Sequence, residues 1–298
     1  MGVQFWWFYD VVAVAAILIC MFITIKRGFY KAAISAIGYV LAMIIALSLS
    51  SSISSSLYKN SIRESIVKKM DQTLEGGNFN EELAKYLESL GYSIRVDREK
   101  LKTICDTGVD VDHEIYKYVN NINGRTVDEE AAFNNKLHEG YANIISSFVS
   151  KHLNEYSAEY AAEEIKSRPR DFYGFMQLMS ETESTRQPAE FIVDNYLREP
   201  YTSIVKLITL VVMLAVFLVL TIAISSSVGK NDKMEPSIVT HALSGLIGLF
   251  KGAVIVFLIA VIVRINVVFG SNKMLFFNHD AIDKTFIFKY VYNFVKDL

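Results

Sequence analysis

Few residues in this sequence are of a type and placement to do chemistry, and the most telling stand beside or inside apolar runs. Asp10 opens the first run. A carboxylate there is either an early helix residue favoured by the macrodipole or a proton or cation site. Lys251 interrupts the last run, and Arg264 follows about three and a half turns later. Such charges either snorkel towards opposite interfaces or line a pathway. The histidines, His113, His138, His152, His241 and His279, are scattered without metal-ligand spacing. His138-Glu139 is an adjacent acid–base pair, but it falls on an amphipathic pattern where a solvated face is expected. Glu129-Glu130 and Glu163-Glu164 likewise read as exposed helix faces. No GxSxG, HExxH, P-loop or GxGxxG string occurs. The expectation is no enzyme, no metal and no cofactor.

The elements that position these residues are mostly membrane helices. Residues 10–50 hold two apolar runs, each near the ~20 residues that cross a bilayer as a helix. They are joined by Lys26-Arg27-Gly28-Phe29-Tyr30-Lys31, long enough only for a tight hairpin. Short Lys/Arg-rich loops stay in the cytoplasm, which orients that turn inward. Trp6, Trp7, Phe8 and Tyr9 read as an interfacial belt at the other end. Gly28 needs positive φ or close approach. Gly38, with Ala32, Ala33, Ser35 and Ala36, gives the second helix a small-residue face for packing within the chain or between copies. Residues 203–225 form a third span, with Lys206 near its outer end. The turn 226–233 carries Lys230 and Lys233 and belongs on the same side as the first. The fourth segment is either one long tilted helix or a helix broken near Gly252; the continuous helix is preferred. The tail, with Phe276, Phe277, Phe286, Phe288, Tyr290, Tyr292 and Phe294, reads as an aromatic helix on the outer interface. The N-terminus lacks a basic n-region and a small-x-small site, so no cleavable signal peptide is expected.

The organisation is therefore a first hairpin (1–50), a polar insert (51–200), a second hairpin (201–270) and an amphipathic tail (271–298). The fold class is all-α: four transmembrane helices as two hairpins plus a mostly helical extracytoplasmic insert. In the insert, Ile62, Ile66 and Met70 repeat at helical spacing until Gly76-Gly77. Asn80 is placed to cap the helix carrying Leu83, Leu87 and Leu90, and Asp97 the next one. Thr126-Val127-Asp128-Glu129 has capping-box form and opens the longest pattern, Phe133, Leu137, Tyr141, Ile144/Ile145 and Phe148. Pro169 and Pro188 punctuate later helices, and Tyr92 to Val96 alternates like a short strand. Cys20 lies in an apolar run and Cys105 in the polar region, so no disulfide joins them.

Composition agrees with this division. The chain is 52% hydrophobic with a mean hydropathy of +0.27, high for a soluble protein. Residues 51–200 carry about −8 against a formal total of −2, leaving about +6 elsewhere. Neither half has the basic, aromatic-interleaved face of a nucleic-acid binder.

The pattern resembles the colicin V production protein family of bacterial inner-membrane proteins. The carrying residues are Asp10, Lys26-Arg27-Gly28-Phe29, Gly38, the segment Gly245-Leu-Ile-Gly248-Leu-Phe-Lys251-Gly252 and the aromatic ending FIFKYVYNF. The resemblance covers roughly 1–50 and 200–298 and leaves the insert outside. It implies an inner-membrane protein linked with bacteriocin production or export and envelope homeostasis, without a settled biochemical activity. Three functions fit: a scaffold or export accessory whose insert engages an envelope partner; a channel or transporter oligomerised through Gly245, Gly248 and Gly252; and a sensor with a ligand-binding insert. The bilayer is the expected partner in all three, with a homo-oligomer required only in the second.

Overall fold

The structure, a computed structural model, describes residues 5–181, 184–228, 237–269 and 279–298. In chain order the helices are α1 (Trp7–Arg27), α2 (Phe29–Leu57), α3 (Arg63–Glu75), α4 (Phe79–Ser89), α5 (Arg98–Asp106), α6 (Val111–Asn123) and α7 (Glu130–His152). They continue as α8 (Glu155–Ser167), α9 (Tyr173–Glu181), α10 (Arg186–Ile192), α11 (Arg198–Val228), α12 (Ile238–Phe269), α13 (His279–Asp283) and α14 (Phe288–Lys296). The protein is an all-α, multi-pass membrane protein: four helices are long and apolar enough to cross a bilayer. Among the described residues there is no strand. The chain forms two compact units, residues 1–57 with 202–298, and Tyr58–Tyr201.

In the membrane unit α12 is the central element. It runs unbroken for 32 residues through Gly252 and packs on α1, α2 and α14. The first hairpin turns at Gly28, whose φ of 84° suits a residue without Cβ. Helix α2 does not end at the expected boundary at residue 50 but continues through the serine-rich stretch 50–56 to Leu57. Ser50 and Ser54 return their hydroxyls to the carbonyls of Leu47 and Ser51, so the helix itself satisfies them and they do not break it. The outer faces of α1, α2 and α11 are aliphatic and exposed, as lipid contact requires. The turn residues Lys230 and Lys233 and the start of the tail, Phe276 and Phe277, lie outside the described residues.

The insert is built around α7, which buries Phe133, Leu137, Tyr141, Ile145 and Phe148. Phe79, Phe172 and Phe175 meet in edge-on and stacked pairs 5.0–5.6 Å apart, with Tyr141 5.4 Å from Phe172. Each such ring contributes about 1.5–3 kcal/mol of apolar burial. Local capping partly differs from the sequence expectation. Asp97 caps α5, accepting from the N–H groups of Glu99 and Lys100. The cap of α4 is Asn78, not Asn80; Asn78 accepts from Asn80 and Glu81. The capping box at Thr126 does not form: α7 begins at Glu130 without a side-chain cap. Asp128 is instead taken by Lys136 and Tyr92. Tyr92 to Val96 is irregular, since its groups go to α4 and α7: Val96 N–H donates to Glu88 at 2.9 Å.

Candidate functional site

Two constellations bring polar groups together inside the protein, one in each unit. In the membrane unit the site is the seam between α1 and α12. A Cβ on Gly248 would lie 2.4 Å from Met21 Cα and 3.0 Å from the Cys20 carbonyl; one on Gly252 would lie 2.5 Å from Ile17 Cα. Only glycine admits backbone this close. Gly245, on the same face, has ordinary clearance, 3.6 Å from Ile25 Cδ1. The face offered by the sequence for an oligomeric pore is thus covered by α1 of the same chain. Gly38 is similarly filled, with Thr221 of α11 standing 2.2 Å from where its Cβ would be.

Lys251 sits on this seam. Gly252 opposes Ile17, the midpoint of α1, which places Lys251 about 15 Å along the helix from the Arg27 end. Its side chain does not snorkel out; the residue is 7% exposed, with Nζ 5.7 Å from the centre of the Tyr39 ring. Arg264 is 6% exposed, also enclosed by the chain. The other Lys251 neighbours are Cys20 and, towards the turn, Arg27. Thr24, Ser35 and Ser244 are buried between Lys251 and that turn. Phe29 begins α2 directly after it.

Asp10 stands in the first turn of α1, as the helix-terminus reading expects, and has a further task. Its carboxylate accepts the N–H groups of Phe286, Ile287 and Phe288 at 2.7, 3.0 and 2.9 Å. It therefore caps α14 from a distance of 276 residues in sequence, with charge-assisted bonds at a positive helix end. Tyr9 stacks on Phe288 with ring centres 4.9 Å apart, and Trp6 meets Phe286 edge-on at 5.3 Å. At the other end of α14, Lys206 Nζ donates to the Leu298 carbonyl. The tail is amphipathic, but its inner face, Phe288, Tyr292 and Val295, joins the bundle core. Phe286, Tyr290 and Phe294 point outward.

In the insert, His138 does not lie on a solvated face. It pairs with the buried Asp112 at 2.6 Å, and the Tyr141 hydroxyl donates to the other oxygen of Asp112 at 3.1 Å. Burial, and the Asp112 carboxylate beside it, hold the Tyr173 phenol well above the ordinary range. Burial does the same for Tyr141. Cys105 is fully buried and its thiol is pushed up to about 12 by desolvation, leaving no thiolate for nucleophilic work. The Asp112 cluster is a packed polar knot joining α6, α7 and α9. Sequence gave one hint of it, His138 and Tyr141 spaced to share a helix face. Among the described residues no three His, Cys, Asp or Glu side chains are placed to hold a metal.

The insert also has a cleft of about 360 Å³ between α4 and α7. Its walls are Tyr86 and Phe148, each seated on a glycine, Gly140 and Gly77. Its rim is polar: Glu82, Lys85, Ser89, Asn143 and Ser147. No family model matches the chain, and neither a curated protein nor a solved structure matches it.

Proposed function

We propose that this chain is an integral scaffold or accessory protein of the bacterial inner membrane, holding its insert outside the cytoplasm to engage an envelope partner. The observation that carries this reading is the insert itself. Residues Tyr58–Tyr201 form a compact unit with its own aromatic core, interlocked by Arg63–Asp194, Arg186–Glu64 and Arg98–Glu88 pairs. A built, ordered domain of this size, carried on four spans, is an expected form for a presented binding module. The basic turn at Lys26-Arg27 favours the cytoplasmic side for the hairpin ends, which puts the insert opposite. The cleft between α4 and α7, with apolar walls and a polar rim, has the anatomy of a protein-contact patch. The resemblance to the colicin V production family adds the expected setting, toxin production or export and envelope homeostasis.

The test is site-specific photo-crosslinking in living cells, with the full chain carrying the photoreactive residue at Ser147 in the cleft. A discrete adduct with an envelope protein is expected. Adducts only with lipid, or none, would remove the support for this reading.

A further inference from the structure

Lys251 receives no counter-charge from the spans that surround it. Residues 11–63, 200–231 and 236–279 contain no aspartate or glutamate, so the apolar stretches of the four spans carry no carboxylate beyond Asp10 at the start of α1 and Glu199 at the start of α11. Asp10 lies about 10 Å further along α1 than Ile17, and both its oxygens are taken by α14. What faces Lys251 is the Tyr39 ring from α2, Cys20 from α1 and a second cation, Arg27. No carboxylate among the described residues comes within 4 Å of Nζ. A ring face offsets only part of what an ammonium loses on leaving water, and mid-membrane is where that loss is largest.

By helix register, the buried hydroxyls nearest the level of Lys251 lie towards one end of the spans. Thr24, Ser35 and Ser244 are buried on the side of the Lys26-Arg27 turn, whereas Val254, Phe257 and Val261 close the other. Thr24 and Ser35 donate their protons to the carbonyls of Cys20 and Ala32. The ammonium therefore remains the strong donor there, with a second cation, Arg27, towards the turn.

We propose that Lys251 is the seat of a small monovalent anion, chloride being the type, which enters from the Lys26-Arg27 side and supplies the missing counter-charge. A lipid phosphate is excluded by depth, since the seat lies about 15 Å along α1 from the turn. The apolar closure beyond Lys251 makes this a one-sided binding site and not a through-pathway. The site stands apart from the partner reading of the insert and does not depend on it.

The experiment uses the full chain in nanodiscs of zwitterionic lipid, with chloride exchanged for gluconate at constant ionic strength. A ligand that binds only the native state raises the melting temperature with concentration. The expected result is a melting temperature that climbs with chloride and saturates. Lys251→Arg keeps the response and Lys251→Met loses it. A wild-type protein that does not distinguish chloride from gluconate overturns the proposal, whether or not Lys251→Met folds. So does a chloride response that Lys251→Met retains in full.

Discussion

Gly248→Ala is the most informative single change in the membrane unit. The added Cβ would sit 2.4 Å from Met21 Cα and 3.0 Å from the Cys20 carbonyl, both backbone atoms of α1 that cannot rotate aside. Ordinary carbon contacts are about 3.5–4.0 Å, so the two helices must part by roughly 1 Å along this stretch. Overpacking of this kind costs about 1–3 kcal/mol, or about a 5- to 150-fold loss in the folded-to-unfolded ratio. Gly245→Ala is the internal control. Its Cβ would meet Ile25 at 3.6 Å, an ordinary contact, and the substitution gains up to about 1 kcal/mol of helix propensity. Denaturation of the purified protein by SDS in mixed micelles, followed by far-ultraviolet circular dichroism, separates the two. Gly248→Ala should unfold at lower SDS fraction than wild type, and Gly245→Ala at the same or higher. Because the seam lies within one chain, the difference should not depend on protein concentration. Equal behaviour of the two variants, or a difference that fades on dilution, would refute the seam.

Asp10→Ala removes the carboxylate that accepts three N–H groups at the start of α14; a lost cap costs about 0.5–2 kcal/mol. Amides of residues 286–290 should exchange several-fold faster, while those of α12 stay protected. Asp112→Ala leaves His138 and Tyr141 without their shared partner, at about 1–3 kcal/mol for the buried Tyr141 hydroxyl left unsatisfied. A drop of several degrees in the melting of the insert's tyrosine near-ultraviolet signal is expected, with the α1–α12 seam unaffected. Glu88 is held below the ordinary carboxylate range by the Val96 N–H and by Arg98. A depressed folded-state value means its contribution is present above the unfolded value and is lost as pH falls through the folded one. The acid limb of the stability–pH curve should therefore flatten in Glu88→Gln.

The spans, the hairpin turn at Gly28 and the apolar stripe of α7 were legible because each depends on local composition and period. Asp97 was legible as a cap for the same reason. Asn78 and Asn80 are equivalent by residue type, and only the entry angle of the chain after Gly76-Gly77 decides between them. The capping box at Thr126 failed because Asp128 finds Lys136 and Tyr92 across the fold, and tertiary partners outweigh a local motif. Tyr92 to Val96 alternates, yet no neighbouring strand exists for it to pair with among the described residues. The role of Asp10 was hidden for a plainer reason: its three partners are backbone N–H groups far along the chain, and no pattern in sequence marks a backbone donor. His138 was misplaced because helical periodicity ranks faces by hydrophobicity, and a histidine aimed at a buried carboxylate looks polar by that measure.

The central claim, an insert held outside the cytoplasm, is tested most directly by thiol labelling in intact cells. Cys105 is the wrong reporter, being fully buried with its thiol pushed up to about 12. Val109, 73% exposed, is the right one. In a Cys20→Ala background, Val109→Cys should react with a membrane-impermeant maleimide without permeabilisation, while the parent carrying only Cys105 stays silent until denatured. Reaction of Val109→Cys only after the membrane is opened would place the insert in the cytoplasm and contradict the account.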